Sequence, residues 1–183
     1  MKESEVYNFD VFSVHTRTVN TAAGTPAKFH TLKCPNWVNA IVFTSDNLLA
    51  LVKQYRHGID DYTIEFPGGL IEQGSLPLDA IKQEVVEETG LISEHWSDIC
   101  CYRPNAALQD NLCYTFACHS ARNVGAHPEV GSELILTDLT AFKQRWRPLL
   151  VMHSLMATSM FLSLDYDGDV RLKELLNLFF RDL

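Results

Sequence analysis

Pro67-Gly68-Gly69-Leu70-Ile71-Glu72-Gln73-Gly74-Ser75 runs directly into Leu76-Pro77-Leu78-Asp79-Ala80-Ile81-Lys82-Gln83-Glu84-Val85-Val86-Glu87-Glu88-Thr89-Gly90-Leu91. Two glycines open a loop, a helix follows, and Gly90 stops it. Leu78, Ile81 and Val85 recur at helical spacing and form the side expected to face a core. Glu84, Glu87 and Glu88 stand three and four residues apart, so they share another face. Like charges at that spacing destabilise a bare helix by about 0.2–0.5 kcal/mol per pair. A solvated acidic face would carry interleaved Lys or Arg, yet after Lys82 none comes until Arg103. Carboxylates that work against their own helix call for a cation, and oxygen-only ligands suit a hard divalent ion, Mg²⁺ or Mn²⁺. The glycine pair lies where a backbone carbonyl can complete the shell.

The same stretch resembles the Nudix box, a glycine, five residues, a glutamate, seven residues, then R-E-U-x-E-E-x-G-U, where U is aliphatic. Gly69, Glu84, Val85, Glu87, Glu88, Gly90 and Leu91 match it at the required spacing. Two positions depart: Ser75 replaces the first glutamate and Gln83 replaces the arginine. The resemblance implies an α/β Nudix fold, a mixed β-sheet sandwiched between α-helices, that hydrolyses a nucleoside diphosphate joined to another group. It also implies Glu84, Glu88 and the Gly68 carbonyl as metal ligands, with Glu87 joining them. The segment Gln54-Tyr55-Arg56-His57, followed by Glu65-Phe66-Pro67-Gly68-Gly69, is similar to the ADP-ribose pyrophosphatase branch. That likeness implies Arg56 beside the substrate phosphates and Glu65 at the nucleotide end. A planar guanidinium suits a diphosphate because it donates two bonds at once. The alternative for Arg56 is a surface ion pair with Asp60 or Asp61.

Length and composition fit this reading. The chain has 183 residues, 46% apolar and 21% charged, which suits one globular domain with a sizeable core. A net charge of −8 argues against a nucleic-acid backbone or an anionic membrane as partner. An anionic nucleotide would then need a local device, a divalent ion and an Arg. Five cysteines, Cys34, Cys100, Cys101, Cys113 and Cys118, include no C-x-x-C pair and are expected as reduced, mostly buried thiols of a cytoplasmic protein. The first residues carry no apolar signal-peptide core. The apolar run 149–164 is too short to span a bilayer and reads as a buried helix.

Residues 6–19 alternate as a strand, 20–26 turn, and 27–34 return as the second strand of an N-terminal β-hairpin extension spanning 1–36. Similar ADP-ribose enzymes use such an extension to form a homodimer; the alternative is a simple edge hairpin. The core is assigned to 37–139. Within it, 37–44, 48–54 and 62–66 read as strands leading to Pro67, and 99–102, 112–118 and 133–139 as strands beyond the box. A polar loop, 103–111, resembles the one that selects substrates in this branch. A second loop, 121–131, resembles the one that delivers the glutamate acting on the attacking water, with Glu129 and Glu133 as candidates. The C-terminal part, 140–183, reads as helices at 140–146, capped by Thr137 or Asp138, and at 172–181. Its acidic turn at 163–174 also fits part of a calcium loop, but Ser163 stands at the first position and no second loop pairs with it.

The expected function is Mg²⁺-dependent hydrolysis of the pyrophosphate bond of a nucleoside diphosphate sugar, ADP-ribose or a close analogue. The alternatives are GDP-mannose-like or dinucleotide substrates. A further alternative, raised by Ser75 and Gln83, is a weakened protein that binds a nucleotide as a sensor or subunit.

Overall fold

The computed structural model describes residues 2–125, 130–146 and 168–180. The box stretch forms helix α1, Pro77–Thr89. Pro77 occupies its first turn, where the missing N–H costs nothing. Gly90 adopts φ 69° and its N–H closes the last turn on the Val86 carbonyl at 2.8 Å. That left-handed cap is why a glycine ends the helix.

Eight strands form the main sheet: β4 (Trp37–Thr44), β5 (Leu49–Arg56), β6 (Asp61–Glu65), β7 (Gly68–Leu70), β8 (Leu91–Ile92), β9 (His95–Tyr102), β10 (Cys113–Asn123) and β11 (Ser132–Thr137). The main path runs β11-β5-β4-β10-β8, with β6 on β5, β7 on β4 and β9 on β10. Only β4 and β10 run parallel among these pairs, so the sheet is mixed, as expected. Strand β4 is buried almost throughout and alternates between two cores. Val38, Ala40 and Val42 pack with Ala80, Ile81 and Val85 of α1. Ile41 and Phe43 pack on the other side with Phe142 and with Leu172, Leu176, Phe179 and Phe180. The last four belong to the C-terminal helix α3, Val170–Phe180. Helices thus cover both faces of the sheet. Between β11 and α3 a short helix α2, Leu139–Ala141, continues as a π-helical turn, Phe142–Trp146. Asp138 caps α2 by accepting the Ala141 N–H at 2.8 Å.

The N-terminal extension has one strand more than the expected hairpin. Residues 6–19 divide into β1 (Lys2–Asn8) and β2 (Ser13–Asn20), joined by a turn in which Phe9 N–H bonds the Phe12 carbonyl at 2.9 Å. Strand β3, Pro26–Lys33, completes an antiparallel three-stranded sheet. Residues 149–164, and 163–167 of the acidic turn at 163–174, lie outside the described residues. Asp169 of that turn is committed to capping α3, accepting the Leu172 N–H at 2.9 Å.

The five cysteines are free, but only Cys113 and Cys118 are buried; Cys34 and Cys100 are half-buried and Cys101 is exposed. Burial pushes the Cys113 thiol up to about 11 and the Cys118 thiol to about 12, so both stay protonated. Among the described residues, no helix is long and apolar enough to cross a membrane.

Candidate active site

The C-terminal half of α1 meets the start of β7 and the outer ends of β5 and β6. Gly68 and Gly69 are glycines for steric reasons. A Cβ on Gly68 would lie 2.2 Å from the Val38 carbonyl oxygen, because β7 pairs with β4 at that point. A Cβ on Gly69 would lie 2.1 Å from Glu84 Oε1, so this glycine leaves room for the Glu84 carboxylate.

The three glutamates do not converge equally. At about 100° per residue, Glu84 and Glu88 nearly eclipse, whereas Glu87 stands about 100° round the helix from Glu88. Glu88 is buried and turned inward. Its Oε2 accepts the Gly68 N–H at 2.8 Å and its Oε1 accepts from Gln54 Nε2. Glu84 is half-buried against Gly69. Glu87 is exposed and accepts from Gln83 Nε2 at 2.8 Å. Gln83 is thus spent on its own helix neighbour and not on Ser75, whose N–H bonds the Glu72 carbonyl at 3.1 Å.

Burial, with the neighbouring charge of Glu84 added to it, pushes the Glu88 carboxyl up to about 7, against the opposing pull of the Gly68 N–H, Gln54 and Arg56. Two carboxylates forced together in a half-buried corner, with oxygen donors only, fit a hard divalent cation. The expected trio does not form: among the described residues no group of three His, Cys, Asp or Glu side chains stands ready to hold a metal. Glu84 and Glu88 are the pair that fits, and Glu87 is turned away.

Arg56 ends β5 on the same face. Its Nε and Nη2 donate to Glu65 Oε1 and Oε2, both at 2.7 Å, a two-pronged pair. Glu65 is 3% exposed and also accepts from Thr63 Oγ1. The surface pair with Asp60 or Asp61 does not form; Asp60 takes the Tyr55 hydroxyl and Asp61 the Tyr62 N–H. A crevice of about 190 Å³ is lined by Arg56 and Glu65 on one side and by Gly68, Gly69 and Trp37 on the other. The expected phosphate arginine and the glycine pair therefore face one cavity, next to Glu84 and Glu88.

Glu133 is not brought to this place. Residues 50, 52, 54 and 56 of β5 point one way, and Ala50 packs with α1. Lys53 points the other way, and Glu133 is its cross-strand partner, with Lys53 Nζ to Glu133 Oε2 at 3.1 Å. Strand parity thus places Glu133 on the opposite face of the sheet from Glu84 and Glu88, in an exposed ion pair, which removes the geometric basis for a base role. Glu129 lies outside the described residues.

Sequence reasoning missed Gln54. Its Nε2 bonds Glu88 Oε1 and Ser132 Oγ, the latter at 3.0 Å, and so ties β5, β11 and α1 together at the carboxylates. The signal was present, because Gln54 is a polar residue on the inward parity of a buried strand.

A mixed sheet between helices, with a glycine pair and a facing arginine at one crevice beside an acidic helix, defines an α/β domain. The chain belongs to the Nudix family: the NUDIX domain model matches residues 35–147, more than half of its length. It is similar to the ADP-ribose pyrophosphatase of Bacillus subtilis (strain 168), 23% identical over 114 residues that make up 62% of each chain. It is also similar to the CMP-5'-(N-acetyl-N-hydroxy-3-aminopropyl)phosphonate hydrolase of Streptomyces rubellomurinus (strain ATCC 31215), 26% identical over 149 residues, 80% of this chain and 68% of that one. Among solved structures, an ADP compounds hydrolase superposes with a TM-score of 0.65 at 15% identity, covering 97% of this chain and 89% of its own. That likeness supports the α/β Nudix fold.

Proposed function

We propose that this protein hydrolyses the pyrophosphate bond of a nucleoside diphosphate derivative, ADP-ribose or a similar nucleotide sugar, with Mg²⁺ or Mn²⁺. The observation that carries this reading is the shared crevice, in which Arg56 and the Gly68–Gly69 backbone face each other beside Glu84 and Glu88. Glu84, Glu88 and the Gly68 carbonyl are the groups that would hold the metal. When bound, the ion neutralises diphosphate charge and lowers the pKa of an attacking water. Arg56 supplies donors to the phosphoryl oxygens and steadies the leaving phosphate. Gln54 and the Gly68 N–H fix the Glu88 carboxylate. Glu129 is the remaining candidate to orient water, since Glu133 lies across the sheet. No covalent intermediate is required.

The names of the relatives support a nucleotide substrate and leave its second half open. GDP-mannose-like and dinucleotide compounds therefore stay in the test. A slower enzyme, or a nucleotide sensor, is favoured by one observation: Gln83, in the box position of the arginine, is engaged with Glu87. A homodimer built on the N-terminal sheet is supported by the exposed apolar side chains Val6, Tyr7, Phe9, Val11 and Phe29. A cytoplasmic setting is supported by the five free thiols. The test is a hydrolysis screen over a nucleoside diphosphate panel with Mg²⁺ and with Mn²⁺. Release of a nucleoside monophosphate from at least one member is expected. Nucleotide binding with no hydrolysis in either metal would replace the enzyme by the sensor.

A further inference from the structure

We propose that Glu65 acts through Arg56, as the positioning residue that locks the guanidinium fork at the mouth of the crevice, and that it does not itself contact the nucleotide. The proposal rests on the phosphate-binding role of Arg56 given above. Both oxygens of Glu65 are engaged by Arg56, at 2.7 Å each, and Thr63 Oγ1 donates to Oε1 as well. The Glu65 side chain is 4% exposed while that of Arg56 is 46% exposed, so the anchor is buried and the working end is open. A guanidinium carries five N–H groups; with Nε and one Nη2 hydrogen committed to Glu65, about three remain to meet phosphoryl oxygens. Cross-strand register makes the arrangement rigid. Thr63 lies opposite Gln54, and Glu65 opposite Val52, so Thr63, Glu65, Gln54 and Arg56 all share the face that carries Glu88. The hydrogen bonds to Glu65 raise the Arg56 pKa above its ordinary value, and the charge of Glu88 adds to this.

A free arginine of this length would sample many rotamers and would have to be ordered by each incoming phosphate. Anchoring it in advance removes that cost and aims its remaining donors. Direct recognition of a base or ribose by Glu65 would require it to leave a two-pronged pair, exposing a buried charge.

The test measures ADP binding by isothermal titration, together with ADP-ribose hydrolysis, for the parent, Arg56→Ala, Glu65→Gln and the double variant. Glu65→Gln keeps the shape but turns an amide N–H₂ toward the arginine. Each single change is expected to weaken ADP binding about tenfold or more, and the double variant to bind no worse than Arg56→Ala. Arg56→Lys, which changes only a half-exposed side chain and cannot form the fork, is expected to lose nearly as much as Arg56→Ala. It answers the question independently if Glu65→Gln folds poorly in a thermal melt. Parent-like binding by Glu65→Gln, additive losses in the double variant, or full retention by Arg56→Lys overturns the proposal. Coupled losses in binding with no hydrolysis by the parent would sink the hydrolase reading and leave this one standing. Hydrolysis with additive losses would do the reverse, and no ADP binding by the parent would overturn this proposal, the hydrolase reading then being judged by ADP-ribose turnover alone.

Discussion

Strand β5 carries two ion pairs on opposite faces, and they differ in kind. On the face toward α1, Arg56 grips Glu65 with two bonds of 2.7 Å, and the carboxylate is buried. On the other face, Lys53 reaches Glu133 at 3.1 Å with side chains 38% and 66% exposed. Exposed single pairs contribute about 0–1 kcal/mol and are screened by salt, whereas removing one partner of a buried pair leaves an uncompensated charge. The contrast shows that one residue of strand register separates a site from a surface. Arg56 reaches the crevice and Gln54 reaches Glu88; Lys53, the residue before Gln54, points to the other face and reaches neither.

Breaking the α1 side has the largest expected effect. Glu84→Gln and Glu88→Gln should each weaken Mn²⁺ binding and lower metal-dependent kcat/KM by about a hundredfold or more, with the fold intact or slightly more stable. Calorimetric metal titration and thermal melts check both halves, and parent-like Mn²⁺ affinity in both variants would remove the metal assignment. Next in size, Arg56→Ala should raise KM or lower kcat by one to two orders of magnitude, at roughly 1.4 kcal/mol per tenfold. Unchanged steady-state kinetics would reduce Arg56 to an ion-pair residue.

A smaller effect concerns pH. Glu88 has its carboxyl raised to about 7 in the folded chain, above the ordinary carboxyl value of 4.5. The folded state therefore binds the extra proton, and the stability this contributes is complete below about pH 4.5 and lost as pH rises through about 7. Metal-free protein should thus lose stability across that window by chemical denaturation, and the loss should be reduced in Glu88→Gln. An identical pH profile in that variant would contradict the buried setting of Glu88. The smallest change belongs to the far face: Glu133→Gln should alter stability by no more than about 0.5 kcal/mol and leave kcat/KM within about twofold. A large loss of turnover there would break the distinction between the two faces of β5.

Much of the fold was legible because local chemistry and burial agree. Pro77 and Gly90 mark the ends of α1, and the buried run of β4 matches residue for residue. The extra strand at the N-terminus was hidden because Phe9-Asp10-Val11-Phe12 turns the chain without a glycine or proline. At the site, spacing put Glu84, Glu87 and Glu88 on one helix face, but a shared face spans enough arc for Glu87 to turn to Gln83 while Glu84 and Glu88 meet at the glycine pair. Parity sets Glu133 beside Lys53 and apart from Glu84 and Glu88, which is a matter of sheet register and not of sequence distance. The fork between Arg56 and Glu65 was illegible for a related reason. It needs β5 and β6 to pair so that Thr63 faces Gln54. Gln83, at the box position of the arginine, bonds Glu87, its i+4 partner on the same helix, and not Ser75.

The most direct measurement of the central claim follows product formation from ADP-ribose with Mg²⁺ in the parent, Glu88→Gln and Glu133→Gln, side by side. The crevice on the α1 face predicts AMP from the parent, near-parent rates from Glu133→Gln, and almost none from Glu88→Gln. Equal rates in all three, or loss in Glu133→Gln with Glu88→Gln unaffected, would contradict it.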